Sequence, residues 1–538
     1  MEEGMKQSLI PGTRISAAAP AACLALLLLQ ACGSAQKTGG EAEKPRFCRV
    51  EGGRLLDGDG RDLILRGINV SGSSKAPPFL PWAKKEDVQL LRKWGFNHVR
   101  YLIVWEAVEP QPGVYDDAYL DQVAERLAWC REAGLKVVLD MHQDLYARKY
   151  GGDGAPEWAC LEDGLPNPTL STDMWFVNYL KPVVNRCFDN FWANKPGPGG
   201  VGLQDRYAAM WQHVARRFRD DTNIVGYDLM NEPHYGSAIY NIIQNGIVLM
   251  NKHLSMKSKL AALQLAQKQN VEANQAIEIV KELMRKDVLL KLFDEGNPIP
   301  QGFEKKHLQP FTDRIAQAIR EVDANHVIFF EPAAGPTSST RFTTGMDVPK
   351  DKAGQPMSNV VFAPHHYDFA ADLGSAEVYG GPEFVKRQIG RAIQSAERMG
   401  VPVWFGEWGY WTGPANAPQM TSDTLDAFDH YMCGWAYWEY SEWVKTSFVP
   451  GICGRPYPEA VAGRPTRISC SEKEFALEFE SLPGGGETVI WVPPERRIDV
   501  VITLSGGGKA EWARTGSGHV KAICTAGGGK CSVVIRMQ

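Results

Sequence analysis

IVGYDLMNE, residues 224–232, is the stretch whose reading settles the fold. It opens as a continuous apolar run rather than an alternation, the pattern of a strand covered on both faces. It closes on two polar residues, Asn231 and Glu232, and Pro233 follows at once. Seven other stretches are built alike: LILRGINV (63–70), HVRYLIV (98–104), KVVLDMH (136–142), HVIFFEP (326–332), NVVFAPHHY (359–367), PVWFGEW (402–408) and GWAYWEY (434–440). Between them lie segments with apolar residues at helical spacing, such as KEDVQLLRKWG (85–95), AYLDQVAERLAWCREAG (118–134) and FTDRIAQAIREVD (311–323). Eight such strand–helix units predict an α/β fold, a closed (β/α)8 TIM barrel.

The polar residues collect toward the C-terminal ends of these strands. Arg100 sits within the second, and His142 and Asp144 lie at or just past the third. Asn231 and Glu232 end the fourth, His365 and Tyr367 the sixth, and Glu407 the seventh, while Trp438 lies near the end of the eighth. That rim is where barrel enzymes carry out their chemistry. A lone strand histidine such as His142 reads first as a hydrogen-bonded core residue, so the weight rests on the convergence of these groups.

Working outward, about 250 residues suffice for one barrel, and this chain has 538, 44% hydrophobic and 22% charged. Residues 51–454 are assigned to the barrel, with a strongly helical insertion at about 240–300 between the fourth and fifth strands. Beyond 455, FALEFESL, ETVIWVP, DVVITLS and CSVVIRM are short β-rich runs broken by Gly-rich turns, which predicts an antiparallel β-sandwich over 455–538. At the N-terminus, Lys6 and Arg14 precede an apolar run, Ala17–Leu29, that ends in Leu29-Gln30-Ala31-Cys32. The run fits a signal h-region and the tetrapeptide a lipoprotein box. Residues 1–32 are therefore expected to direct export, Cys32 to carry a lipid anchor to the cell envelope, and 33–50 to form a flexible tether. An ordinary signal peptide, releasing a secreted protein, is the alternative.

Net charge is -5, which offers no polyanion-binding surface, so nucleic acid is not an expected partner. Among the remaining cysteines, Cys524 and Cys531 flank TAGGGK and are plausible disulfide partners; Cys160 with Cys187 and Cys453 with Cys470 rank below them. No pair has zinc-ligand spacing, so no structural metal is expected.

Glu232 and Glu407 point to a specific chemistry. Fourth and seventh strands face each other across a barrel mouth, so two carboxyl groups from their ends can flank one bond. Glycosidic cleavage needs a proton on the leaving oxygen and stabilisation of an oxocarbenium-like centre, and two carboxyls about 5–5.5 Å apart supply both with retention. Glu232 is expected to act as acid/base, its pKa raised by an ionised Glu407 acting as nucleophile. Pro233 fixes the chain as it leaves the strand. Asn231 is placed to donate to the sugar hydroxyl beside the anomeric carbon, Tyr367 to hold the nucleophile, and His365 to position either glutamate. In WFGEWG, the glycines permit close backbone approach, and Trp404 and Trp408 are expected to limit solvent. Neither metal nor organic cofactor is required.

Arg100, His142, Asn231, Glu232, His365, Tyr367, Glu407 and Trp438 together resemble the pattern of glycoside hydrolase family 5. LRGINVSGSSK (65–75), VWEAVEPQPGVYDDAYL (104–120), DMHQDLYARKYGGDGAPEWA (140–159) and APHHYD (363–368) look closest to its endoglycoceramidases. The resemblance implies a barrel with a C-terminal β-sandwich that cleaves glycosphingolipids between glycan and ceramide. Carried over by position, it makes Lys75, His142, Asp144 and Asn231 sugar-binding candidates, with Trp438 as a stacking platform. Two features depart from the family: His234-Tyr235 follows the acid/base where an aromatic and proline are usual, and the helical insertion comes almost immediately. Both bear on the aglycone, and the 234–235 loop is expected to face it. Apolar residues of the insertion, Ile247, Val248, Leu249, Met250, Leu289, Leu290 and Leu292, either shelter a lipid chain or pack on the barrel. Competing readings are a β-glucosidase-like relative acting on glucosylceramide, a steryl glucoside or another simple β-glycoside, and a lipoprotein that binds glycolipid without hydrolysis.

Overall fold

The structure, a computed structural model, describes residues 46–171, 175–266, 273–285, 288–334, 339–410, 415–505, 508–525 and 529–538. The signal segment, Cys32 and residues 33–45 of the tether lie outside the described residues. Eight parallel strands form the barrel: β1 Arg66–Val70, β2 His98–Val104, β3 Lys136–His142, β4 Ile224–Asp228, β5 Val327–Phe330, β6 Val360–Phe362, β7 Trp404–Trp408 and β8 Gly434–Tyr437. Their order is 7-8-1-2-3-4-5-6. Bridges Phe362–Val403 and His366–Trp408 close β6 onto β7. Each strand coincides with one of the apolar runs, because a strand covered by helices outside and side chains inside has no face left for water.

Val138, Val225, Val327, Phe329, Val361, Trp404 and Ala436 fill the barrel below its rim. Close strand approach is secured by Gly67 of β1, where a Cβ would lie 2.1 Å from the His98 carbonyl oxygen. The helices start and stop on local signals. In Asp117–Ala133, the Asp116 carboxylate caps the Tyr119 N–H, and Gly134 ends the helix at φ 74°.

The second layer is the sandwich, and its composition differs from the expected 455–538. A four-stranded sheet joins Gly463–Cys470, Glu474–Ser481, Gly529–Met537 and Ile498–Leu504. The facing seven-stranded sheet includes three N-terminal strands, Arg49–Glu51, Arg54–Leu56 and Asp62–Leu63, and Leu63 pairs with Ala460. The end of the expected tether is thus a strand, and the barrel proper begins near residue 66. Strands of two or three residues carry no readable period: Arg49–Glu51 and Arg54–Leu56 are defined by pairing with each other, and Asp62–Leu63 by pairing with Leu56 and with Tyr457–Val461. Phe475, Leu477, Phe479, Ile490, Val533 and Ile535 form the core between the sheets.

The insertion is helical at Ile239–Asn251, Met256–Ala266, Ala273–Arg285 and Leu289–Gly296. Leu289 and Leu292, with Ile247, Leu249, Met250 and Leu290, pack into a cluster that includes Phe384 of the barrel helix Pro382–Met399. Of the apolar residues nominated to shelter lipid, only Val248 stays open to solvent, at 72% exposure. The rest form the packing face.

All nine cysteines of the described residues are free thiols. Cys524 and Cys531 nevertheless face each other with Sγ atoms 3.3 Å apart, and Cys160 and Cys187 share a hydrogen bond. No helix among the described residues is long and apolar enough to cross a membrane.

Candidate active site

Arg100 organises the rim. It projects from β2 into the barrel, wholly buried, and its guanidinium donates five hydrogen bonds and makes a sixth contact, an ion pair with Asp140. Nη1 reaches Glu407 Oε1 at 2.7 Å and Asn69 Oδ1 at 3.2 Å. Nη2 reaches Asn231 Oδ1 at 3.0 Å, Glu331 Oε1 at 3.1 Å and Asp140 Oδ1 at 2.8 Å, while Nε reaches Asp228 Oδ2 at 3.0 Å. A planar fork of fixed donors suits this task, since each hydrogen bond fixes an acceptor's direction as well as its distance.

Glu407 ends β7 and is held by two donors, Arg100 on Oε1 and the Tyr367 hydroxyl on Oε2 at 2.9 Å. Gly406 before it is required by packing: a Cβ there would lie 2.7 Å from His365 Nε2. Trp404 and Trp408 do not screen the site as expected. Trp404 points into the barrel floor against Phe329, and Trp408 packs outward on Phe428 and Trp435. Residues four apart on a regular strand share a face, but a register shift between Phe405 and Trp408 breaks that parity and sends the two rings to opposite sides.

Glu232 lies beyond the end of β4, in the left-handed region at φ 41°. Gln143 Nε2 donates to the Asn231 and Glu232 carbonyls, both at 2.9 Å, and the Glu232 N–H donates to Glu331 Oε2 at 2.9 Å. His365 Nδ1 lies 3.0 Å from Glu232 Oε1 and 3.7 Å from Glu407 Oε2. Carboxyl oxygens of Glu232 and Glu407 come within 4.8 Å of each other. That is the spacing of direct attack, with no room for a water between one carboxylate and the anomeric carbon. Burial pushes the Glu232 carboxyl up to about 7, with repulsion from Glu407 and Asp144 adding to it and His365 opposing. The sequence argument had assigned the rise to Glu407; desolvation is the larger cause.

A third group lines the neighbouring wall. Lys75 Nζ donates to Asp144 Oδ2 at 2.5 Å, lies 3.8 Å from Asp153 Oδ2, and sits 4.5 Å from the centroid of Trp438. His142 stacks on Trp438 at 5.5 Å and meets Asp140 Oδ2 through Nδ1 at 2.8 Å. Burial works against a charge on His142, yet Asp140 and Asp144 raise it to about 10, so the ring is an imidazolium at neutral pH. Asp144 is held below the usual carboxylate range by Lys75 and His142 against the opposing effect of burial. Lys75, His142, Asp144 and Trp438 therefore form one polar wall with an aromatic plate, the equipment for hydroxyl recognition and ring stacking. Asn231 has spent its Oδ1 on Arg100 and one N–H on the Gln143 carbonyl, leaving one N–H for a sugar.

His234 and Tyr235 are buried rather than turned to the mouth. His234 stacks on Tyr179 at 4.6 Å, and the Tyr235 hydroxyl donates to the Ala333 carbonyl at 3.2 Å. Among the described residues, three His/carboxylate groups have metal-compatible spacing: His142-Asp144-Asp153, Asp228-Glu331-His365 and Glu232-His365-Glu407. Lys75 lies in the first and Arg100 borders the other two, so protein cations already supply the positive charge there.

Sequence reasoning missed Asp140, Asp228, Glu331 and Asn69. Each was visible as a polar residue inside or ending an apolar run, a costly placement that calls for a partner.

The cellulase family, glycosyl hydrolase family 5, matches residues 56–443. Endoglycoceramidase I of Rhodococcus hoagii is 25% identical over 505 residues, covering 90% of this chain and 87% of the relative. A glucosylceramidase of Aspergillus fumigatus is 31% identical over 246 residues, 35% of this chain and 32% of its own. The solved structure of endo-glycoceramidase II from Rhodococcus sp. in complex with ganglioside GM3 superposes with a TM-score of 0.69 at 28% identity, covering 90% of this chain and 99% of that one.

Proposed function

The chain belongs to glycosyl hydrolase family 5 and is a glycoside hydrolase; from that footing we propose that it releases the intact glycan of glycosphingolipids by cutting its linkage to ceramide. The carrying observation is the carboxyl pair within 4.8 Å inside a rim whose whole-chain relatives are endoglycoceramidases. In the first step Glu407 attacks the anomeric carbon while Glu232 delivers its proton to the ceramide oxygen, which departs as the alcohol. In the second, Glu232, now a carboxylate, takes a proton from water as the water oxygen attacks the same carbon. Glu407 is released, and the free sugar keeps its starting anomeric configuration. Lys75, Asp144, His142, Asn231 and Trp438 hold the sugar nearest the bond.

Mass spectrometry of products from a mixed ganglioside and neutral glycolipid digest tests this reading. Free oligosaccharide plus ceramide is expected. Stepwise monosaccharide release, or cleavage confined to glucosylceramide or steryl glucosides, would overturn it. The glucosylceramidase relative, 31% identical over about a third of the chain, favours the second reading, a simple β-glucosidase. Lys6, Arg14, the apolar run and Leu29-Gln30-Ala31-Cys32 further support export and anchoring through Cys32, which would bring the enzyme to a membrane surface.

A further inference from the structure

Glu331 ends β5 with its side chain 1% exposed, and nothing in the double-displacement scheme requires it. It touches the acid/base twice. Oε2 accepts the Glu232 backbone N–H at 2.9 Å, and Oε1 lies 3.2 Å from His365 Nε2, the ring whose Nδ1 stands 3.0 Å from Glu232 Oε1. His365 Nε2 is buried and accepts or donates no hydrogen bond among the described residues, and Glu331 Oε1 stands 3.2 Å from it. Glu232 itself occupies the left-handed region at φ 41°, a conformation uncommon outside glycine that needs external restraint.

We propose that Glu331 is a positioning residue for the acid/base, acting as a neutral carboxylic acid. Its carbonyl oxygen accepts the Glu232 N–H, and its hydroxyl donates to His365 Nε2. That fixes His365 in the tautomer carrying the proton on Nδ1, which donates to Glu232 Oε1. Glu232 Oε1 is thereby committed as an acceptor, and the transferable proton resides on Oε2, the oxygen left for the glycosidic bond. The arrangement works in both half-reactions, because the same Nδ1–H supports the Glu232 carboxylate once its proton has gone.

Charge surroundings agree with a neutral Glu331. Arg100 faces Asp140, Asp228, Glu331 and Glu407 at once. His142 on the neighbouring wall is already paired with Asp140. Burial raises Glu331 and Asp228 well above the usual carboxylate range, with Asp140 adding to both and Arg100 opposing. The groups facing Glu331 are Arg100, Asp140, Glu407, His365 and Glu232, and Asp228 shares Arg100 with it.

This inference rests on the assignment of Glu232 as acid/base, so its test separates the two. Glu331→Gln keeps the acceptor for the Glu232 N–H and a donor toward His365 Nε2, and gives up only the bond that Oε1 accepts from Arg100 Nη2, a guanidinium with other acceptors around it. It is expected to keep kcat within about threefold of the parent and to leave the alkaline limb of kcat/KM in place. Glu331→Ala is expected to lose roughly 10²-fold in kcat on a glycoside with a poor leaving group, with a displaced alkaline limb. On a dinitrophenyl glycoside, which needs little protonation, the first step should lose far less. Infrared difference spectra of the folded Glu331→Gln protein should lack one protonated-carboxyl band present in the parent, a readout independent of turnover. A Gln variant as impaired as Ala, or an unchanged infrared band pattern, would mean that Glu331 works as an anion. Equal losses in Glu331→Ala on both leaving groups with an unmoved pH limb would reduce it to scaffolding. Loss of the leaving-group contrast in Glu232→Gln itself would instead sink the acid/base assignment.

Discussion

Replacing Glu407 by Gln asks what holds the proton on Glu232. The carboxyl is raised from 4.5 to about 7, which corresponds to about 3 kcal/mol against the charged form. Burial is the largest contribution, with the Glu407 charge a lesser one behind the interaction with His365. Glu407→Gln keeps the volume and removes the charge, so the Glu232 pKa should fall from its parent value and still stay clearly above 4.5. Titration of ¹³Cδ-labelled glutamate by NMR, with Glu232→Gln to assign the signal, measures this directly. In the parent, kcat/KM should fall as pH rises through about 7, because the protonated form performs the first step. The linkage to stability has a definite sign. A carboxyl whose folded pKa is raised costs nothing below about 4.5; its cost grows from there to about 7 and is constant above. Glu232→Gln should therefore melt higher than the parent at pH 8 and lose that advantage as pH falls toward 4.5. A Glu232 pKa that drops close to 4.5 in Glu407→Gln would refute the burial argument and restore charge repulsion as the cause.

Other expectations follow from the same geometry. Glu232→Gln should lose roughly two to four orders of magnitude on poor leaving groups and much less on activated aryl glycosides, measured in the pre-steady state; equal losses would make Glu232 structural. A 2-deoxy-2-fluoro glycoside should trap an ester on Glu407, identified by peptide mass spectrometry, and product NMR should show retained configuration; inversion or a label elsewhere would contradict the double displacement. Cys32→Ser should shift the protein from membrane to soluble fractions or leave it unprocessed, and a processed variant still on the membrane would exclude a thioether anchor. On helix Met256–Ala266, Met256, Leu260 and Leu263 lie one turn apart and are 80%, 59% and 46% exposed. Replacing all three by Ser should lower turnover of glycolipid in vesicles while leaving a soluble aryl glycoside untouched; parallel losses would show only a packing defect.

Legibility in the sequence tracked how local each cause was. Eight strands could be read because a strand buried on both faces writes an uninterrupted apolar run, and the site followed because such runs end in polar residues on one rim. The N-terminal strands of the sandwich could not, since Asp62–Leu63 has no period and acquires its identity from Ala460 and Val461, some four hundred residues away. The insertion shows a mixed outcome. Its helices were legible, but which apolar face packs was not, because Ile247 and Val248 are adjacent in sequence and opposite in environment. Of the disulfide candidates, Cys524 and Cys531 stand with Sγ atoms 3.3 Å apart, one in each sheet of the sandwich, whereas no hydrogen bond joins Cys453 to Cys470 among the described residues.

The deepest omission was the buried carboxyls. Asp140, Asp228 and Glu331 look incidental one strand at a time and become a system only around Arg100. Inside the rim, the cations Lys75, Arg100 and His142 stand against Asp140, Asp144, Asp153, Asp228, Glu232, Glu331 and Glu407. A low-dielectric interior cannot keep so many anions charged beside so few cations. The pattern of shifts shows how the excess is absorbed. Asp144, in contact with Lys75, is pulled down, while Asp153, farther from the same lysine, rises to about 7, and Asp228 and Glu331 rise well beyond. Glu232 at about 7 is thus one of several carboxyls that burial keeps protonated, singled out as the acid by an oxygen that faces the cleft rather than by a special affinity for protons. Neutralising a neighbour permanently should then ease ionisation of Glu232. Asp153→Asn acts through Asp144 and Lys75 and should move the alkaline limb slightly downward without abolishing turnover; an upward movement would contradict the reading that neighbouring anions help hold the proton on Glu232.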